Sequence, residues 1–229
     1  MRLGQTLVDG VFLERPNRYL ARVLVDGRET EAHVPDPGRL PGLMIPQRAV
    51  RLIYNPGPKR KTDYTLALVR HGSIWVSAYP VFANALVEEA LEKKQIPEFK
   101  KYQSYKREAK QGDSRFDFLL ERDSESFYLE VKSVSWVEGG VGMFPDAPTL
   151  RGVKHLRELI ALKSEGYQTG ALFVSQRSDA CKVVPQDDVD PRFGEALRDA
   201  AKAGVQLLAY NCKVTNSTVT LDRAIPVEL

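Results

Sequence analysis

The chain has 229 residues, 43% hydrophobic and 28% charged, with a formal net charge of +3. That balance fits a folded globular protein rather than a disordered or fibrous one, and the length allows one large domain or two smaller ones. No apolar run approaches the ~18 residues of a membrane span, Met1–Asp9 lacks a signal-peptide hydrophobic stretch, and the distant Cys181 and Cys212 read as buried, reduced thiols rather than zinc ligands, so the expected setting is cytoplasmic.

Short strands broken by turns are predicted through the first 80 residues, at Thr6–Leu13, Tyr19–Val25, Glu29–Val34, Ala49–Tyr54, Tyr64–Arg70 and Ile74–Tyr79. Asp26-Gly27 between the second and third is a tight hairpin signal. Several short strands without helical period imply a small closed barrel, an OB-fold or, as the competing arrangement, an SH3-like one. Residues 1–79 carry 12 Lys/Arg against 7 Asp/Glu, whereas the remainder carries 21 against 23. A basic barrel suits a phosphate-backbone partner. Its candidate contacts are Arg15 and Arg18 beside Tyr19, Arg39 in the loop His33–Gly42, and Lys59, Arg60 and Lys61 in a basic turn before Tyr64.

Helical period begins after Pro80, which places the division between domains 1–80 and 81–229. In Val81–Lys94 the residues Phe82, Leu86, Val87, Ala90 and Leu91 form one apolar stripe, and Pro97 follows the helix. Then come a strand at Tyr102–Lys110, a hairpin of Arg115–Glu121 and Phe127–Ser133, and a Gly-containing loop over Glu138–Thr149. A helix at Lys154–Glu165 ends at Gly166, a strand follows at Gly170–Gln176, and Asp190-Pro191 opens a helix to Ala203. A strand at Val205–Tyr210 and a short tail close a mixed α/β domain.

The hairpin carries the chemistry. Glu130 and Lys132 share one face of their strand, with Leu129 and Val131 on the other. Asp117, between Phe116 and Phe118, is expected on the face opposite theirs, so that two carboxylates and a lysine converge. Carboxylates in such a pair hold Mg²⁺, for which Mn²⁺ can substitute, and orient a water at a phosphodiester, with Lys132 placed to stabilise transition-state charge. This Asp…Glu-x-Lys arrangement resembles the PD-(D/E)xK nuclease superfamily. Asp117, Glu130 and Lys132 are the catalytic candidates; Asp117 and Glu130 are the metal candidates, with Glu89 and Glu108 as accessory carboxylates. Arg151, Lys154 and His155, at a helix start, form a candidate anion site. Pro145-Asp146 follows the E-x-K and so is not the superfamily's defining aspartate.

Ordered matches spread along the chain resemble the sugar fermentation stimulation protein A family. They include Arg15-Pro16-Asn17-Arg18-Tyr19, His33-Val34-Pro35-Asp36-Pro37-Gly38-Arg39-Leu40, Ala83-Asn84-Ala85-Leu86, Ser114-Arg115-Phe116-Asp117-Phe118, Glu130-Val131-Lys132-Ser133 and Phe144-Pro145-Asp146-Ala147-Pro148-Thr149. The resemblance implies an OB-like N-terminal domain, a PD-(D/E)xK nuclease-like C-terminal domain, and DNA binding in a prokaryote linked to regulation of sugar use. It supports Asp117, Glu130 and Lys132 as the nuclease-type set. Asp36-Pro37-Gly38 departs from the Asn-Thr-Gly of many relatives, and the added carboxylate works against phosphate contact by that loop. A DNA-binding regulator is the first reading and a metal-dependent endonuclease on DNA or RNA the second, because fold does not fix function. A sugar- or protein-binding role has no motif behind it, and oligomeric state stays open, a dimer included.

Overall fold

A computed structural model describes residues 1–3, 6–112 and 114–229. Five strands close a barrel: β1 (Leu7–Asn17), β2 (Leu20–Val25), β3 (Arg28–His33), β4 (Ala49–Tyr54) and β5 (Tyr64–His71). They run in the order β3-β2-β1-β4-β5, and a parallel pairing of Ala32 and His33 with Tyr64 and Thr65 joins β3 to β5. This is the OB-like alternative of the two expected barrels. Asp26 and Gly27 both take positive φ at the β2–β3 turn, the conformation an Asp-Gly hairpin requires. The barrel core contains Phe12, Val23, Leu52 and Leu66. A sixth strand, β6 (Ile74–Ser77), adds to the outer edge of β5.

The second half is a six-stranded mixed sheet in the order β15-β14-β12-β9-β8-β7. Its strands are β7 (Ser104–Gln111), β8 (Ser114–Arg122), β9 (Glu125–Val134), β12 (Gln168–Ser175), β14 (Gln206–Val214) and β15 (Val219–Ile225). Strands β9, β12 and β14 are parallel. The helices α2 (Leu150–Ser164) and α3 (Pro191–Lys202) connect them and cover one face, burying Leu156, Leu159, Phe173 and Leu197. Helix α1 (Phe82–Glu92) covers the other face through Leu86 and Val87. The barrel's Ala67 and Leu68 belong to that same apolar cluster, so the two halves share a core.

Three expected elements change, and Cys181, expected to be buried, is exposed. The Glu138–Thr149 segment is not all loop, because β10 (Trp136–Glu138) and β11 (Val141–Phe144) form a hairpin there. The strand β13 (Lys182–Pro185) joins that hairpin in parallel. Helix α2 starts at Leu150 rather than Lys154, since the Thr149 side chain accepts from Gly152 N–H and caps the helix a turn earlier. Strand β15 lies in the stretch read as a tail; its pattern of mostly exposed residues hides it from an apolar-run criterion.

Candidate functional site

The site forms where β8 and β9 separate. Their ladder pairs Phe118 with Leu129 and runs from there toward the turn, so Asp117 and Glu130 lie just beyond its last pair. At the fork Asp117 Oδ2 accepts from Val131 N–H at 2.7 Å, and its side chain takes the place of a ladder carbonyl. Asp117 Oδ1 accepts from Asn84 Nδ2 on α1, also at 2.7 Å.

Simple alternation fails here, which corrects the expectation that Phe116 and Phe118 share a face. Phe118 packs with Leu86 and Val87 under α1, whereas Phe116 packs with Leu156 and Phe173 under α2. The neighbouring strand is irregular at the same place. Arg107 pairs with Phe118 and Ala109 with Phe116, so Glu108 stands opposite Asp117, and its φ of 52° puts it in the left-handed region. The ladder is irregular at that pair, and the side chains of β8 change face across it.

Glu130 points toward α2. Its Oε1 accepts from Lys132 Nζ at 2.6 Å and from His155 Nδ1. Arg151 Nε donates to His155 Nε2 at 3.3 Å, which leaves the ring proton on Nδ1. The result is a chain Arg151–His155–Glu130–Lys132 across β9 and α2. Glu130 Oε2 is buried and has no hydrogen-bond partner. A bare, buried carboxylate oxygen is costly unless a cation or donor completes it.

Charge follows this geometry. Burial raises the Asp117 carboxyl and the Glu130 charge raises it further, against the hydrogen bonds from Val131 and Asn84. Burial pushes Glu130 upward as well, but the His155 hydrogen bond and the Lys132 charge outweigh it and leave Glu130 below the ordinary range. The pair therefore has one firmly ionised member and one whose charge is opposed by its neighbour. That imbalance suits a divalent cation, which would relieve the repulsion. Among the described residues no cluster of three or more His, Cys, Asp or Glu stands ready to hold a metal. The fit rests on two carboxylates, one with a free buried oxygen.

The other expected site residues fall elsewhere. Glu89 binds the Met1 amino group at 2.7 Å and pairs with Lys93. Glu108 is exposed and faces Arg115 at 3.6 Å. The geometry joins neither to the Asp117–Glu130 pair, because Glu89 lies on a different side of α1 from Asn84 and the Glu108 carboxylate is turned to solvent. His155 is 4% exposed and positions Glu130, so it is not an anion contact of the helix start. Arg151 and Lys154 remain exposed on α2. Arg15 is drawn inward: its Nη atoms donate to the carbonyls of Arg18, Asp36 and Gly38 and hold the β1–β2 and 36–40 loops together. Arg18, Arg39, Lys59, Arg60 and Lys61 are exposed. Asn84 was missed. An asparagine in a helix carries no distinctive spacing, and only its position beside Asp117 identifies it.

Residues 81–218 match the Sugar fermentation stimulation protein RE domain, and residues 13–78 match the SfsA N-terminal OB domain. The chain belongs to the sugar fermentation stimulation protein family. A "Sugar fermentation stimulation protein homolog" of Acetivibrio thermocellus is 44% identical over 230 residues and 99% of each chain. Another, from Clostridium perfringens, is 40% identical over all of both chains. The solved structure of Pyrococcus furiosus SfsA in complex with Ca²⁺ superposes with a TM-score of 0.88 at 29% identity, covering 100% of each chain. No helix among the described residues is long and apolar enough to cross a membrane.

Proposed function

We propose that this family member binds nucleic acid and hydrolyses its phosphodiester backbone at a divalent-cation site formed by Asp117 and Glu130. The observation that carries this reading is the buried, unpartnered Glu130 Oε2 beside a second carboxylate. The relative solved with Ca²⁺ supports a divalent cation, with Mg²⁺ or Mn²⁺ as the working ion. A cation held there would neutralise phosphate charge and make a bound water more acidic.

The protein's own groups have separable roles. Asn84 and Val131 N–H hold Asp117, while His155 and Lys132 hold Glu130 Oε1 and leave Oε2 free. Lys132, only 14% exposed at its side chain, presents an ammonium at the same face for the charge that develops on a phosphoryl oxygen. In the reaction a water gives up a proton as its oxygen bonds to phosphorus, the P–O bond to the leaving oxygen breaks, and that oxygen takes up a proton in turn.

The barrel supplies the nucleic-acid contact in this reading. A cleft of about 590 Å³ is lined by Asn17, Tyr19, His33, Arg60, Lys61 and Thr62. Tyr19 is 51% exposed, with the Arg18 guanidinium 5.8 Å from its ring centroid. An exposed aromatic framed by cations suits an unpaired base and its phosphate. Arg39 and Lys59 extend the basic rim, and the domain boundary falls at residue 80.

A DNA-binding regulator that holds without cutting is the second reading. Lys132 favours it, because its ammonium already balances the Glu130 charge. Linear, nicked and flapped DNA and single-stranded RNA incubated with Mg²⁺ or Mn²⁺ separate the two. Cleavage lost in Asp117→Ala supports hydrolysis; binding to every substrate with no cleavage of any leaves the regulator.

A further inference from the structure

The outer surface of α2 and α3 carries charge that neither the cation site nor the barrel uses. A groove of about 350 Å³ between the starts of the two helices is lined by Leu150, Val153, Lys154, Arg157, Glu158 and Arg192. Lys154, Arg157 and Arg192 are exposed, and Arg151 stands at the same end of α2. Lys154 has Glu158 at 3.6 Å, but among the described residues Arg157 and Arg192 have no carboxylate within ion-pair distance. Lys106, Arg107 and Arg115 on β7 and β8, by contrast, each face a glutamate.

Specific residues build the groove. Asp190 caps α3 by accepting from Phe193 N–H, and its other oxygen accepts from Thr149 N–H at 2.8 Å, so the two helix starts are tied together. Gly152 permits the close approach: a Cβ there would lie 3.2 Å from the Phe193 ring and 2.8 Å from Thr149. Neither helix has an acidic residue in its first turn, and the one carboxylate at these helix starts, Asp190, spends both oxygens on the Phe193 and Thr149 N–H groups. At the rim Leu150 is 76% exposed.

We infer that this groove is a second nucleic-acid interface, taking the sugar–phosphate backbone of the strand that enters the Glu130 site. It deepens the functional reading above and rests on it for the identity of the partner. The same helix links the two places: α2 turns His155 inward to Glu130 and presents Lys154 and Arg157 outward. Unmatched guanidinium groups favour bidentate phosphate contact, and the absence of a deep, closed pocket favours an extended polyanion over a small ligand.

The test uses the full chain with EDTA present, so that binding is read without cleavage. Anisotropy of a labelled duplex and of its single strand is measured across a salt series for the parent and for an Arg157→Ala/Arg192→Ala double variant. The expected result is a salt slope reduced by about 2, roughly 1 per lost phosphate contact, and affinity lower by about tenfold or more. A Lys202→Ala/Lys213→Ala variant, with equal charge removed elsewhere, keeps the parent slope. An Arg157→Lys/Arg192→Lys variant restores most of the slope, which separates charge loss from misfolding. An unchanged slope in the alanine double variant overturns the inference, and so does equal displacement by poly-glutamate and by unlabelled DNA. Cation-dependent cleavage with an unchanged slope defeats the groove alone. A reduced slope with no cleavage under any cation defeats hydrolysis and leaves the groove standing.

Discussion

His155 on α2 and Glu130 on β9 share a buried hydrogen bond, so the helix that crosses between parallel strands fixes the carboxylate of the proposed cation site. The bond occupies Oε1 and leaves Oε2 bare. Partners that orient a ligating carboxylate typically carry about 10–100-fold in metal affinity. His155→Ala should weaken Mn²⁺ binding by that order, measured by calorimetry, while His155→Gln recovers part of the loss through its amide donor. Equal affinity in the parent and the alanine variant would show that Lys132 alone holds Glu130.

Repulsion between Asp117 and Glu130 predicts stabilisation by a divalent ion. A ligand that binds only the folded state contributes about 2.7 kcal/mol at 100 times its Kd. For a chain of this size 1 kcal/mol shifts the unfolding midpoint by roughly 2–4 °C. Saturating Ca²⁺ or Mn²⁺ should therefore raise the midpoint by about 5–10 °C in a calorimetric scan. The shift should vanish in Asp117→Ala; its persistence there would place the ion elsewhere.

Much of this site is readable from two strands and a turn. The E-x-K period places Glu130 and Lys132 on one face, and the structure keeps them there. Asp117 is legible from its place in the hairpin, but the opposite facing of Phe116 and Phe118 is not, because the ladder is irregular where Glu108 stands opposite Asp117 and nothing local in the sequence marks it. His155 is expected among the cations of a helix start, whereas the structure turns it inward to Glu130. Its helix starts a turn earlier than the Lys154 boundary, and a capping hydrogen bond from Gly152 to Thr149 sets that start. The barrel came through nearly strand for strand because its turns are marked by Gly, Pro and Asp. The inward use of Arg15 was hidden, since nothing local shows that an arginine will spend its donors on loop carbonyls.

Tyr19 tests the barrel's part in binding. Its ring is half exposed at the edge of the cleft that also holds Arg60 and Lys61. Base–aromatic stacking is worth about 1–3 kcal/mol per base. Tyr19→Ala should weaken binding of a single strand by roughly 5- to 150-fold and a blunt duplex far less, read by anisotropy at fixed salt. An equal loss for both forms would make the cleft a backbone contact instead of a base pocket.

Asp36 tests how the barrel meets the second domain. It lies in the loop whose Leu40 N–H donates to Asp146 Oδ2 at 3.2 Å, and a side chain at Gly38 would collide with that carboxylate. Burial pushes the Asp36 carboxyl up to about 6, against the Gly38 N–H hydrogen bond, and the Asp146 charge adds to the rise. Burial also lowers the Arg15 guanidinium, so desolvation outweighs the attraction between the two. The folded protein thus keeps a proton that the unfolded chain releases near pH ~4. Stability at this group falls as pH rises from about 4 to 6 and stays reduced above that. Asp36→Asn removes the ionisation and keeps an acceptor for Gly38. In urea titrations the variant should be more stable than the parent at pH 8, by up to about 3 kcal/mol, with the difference closing below pH ~4. A variant no more stable at pH 8 would mean that Arg15 already compensates the buried charge in full.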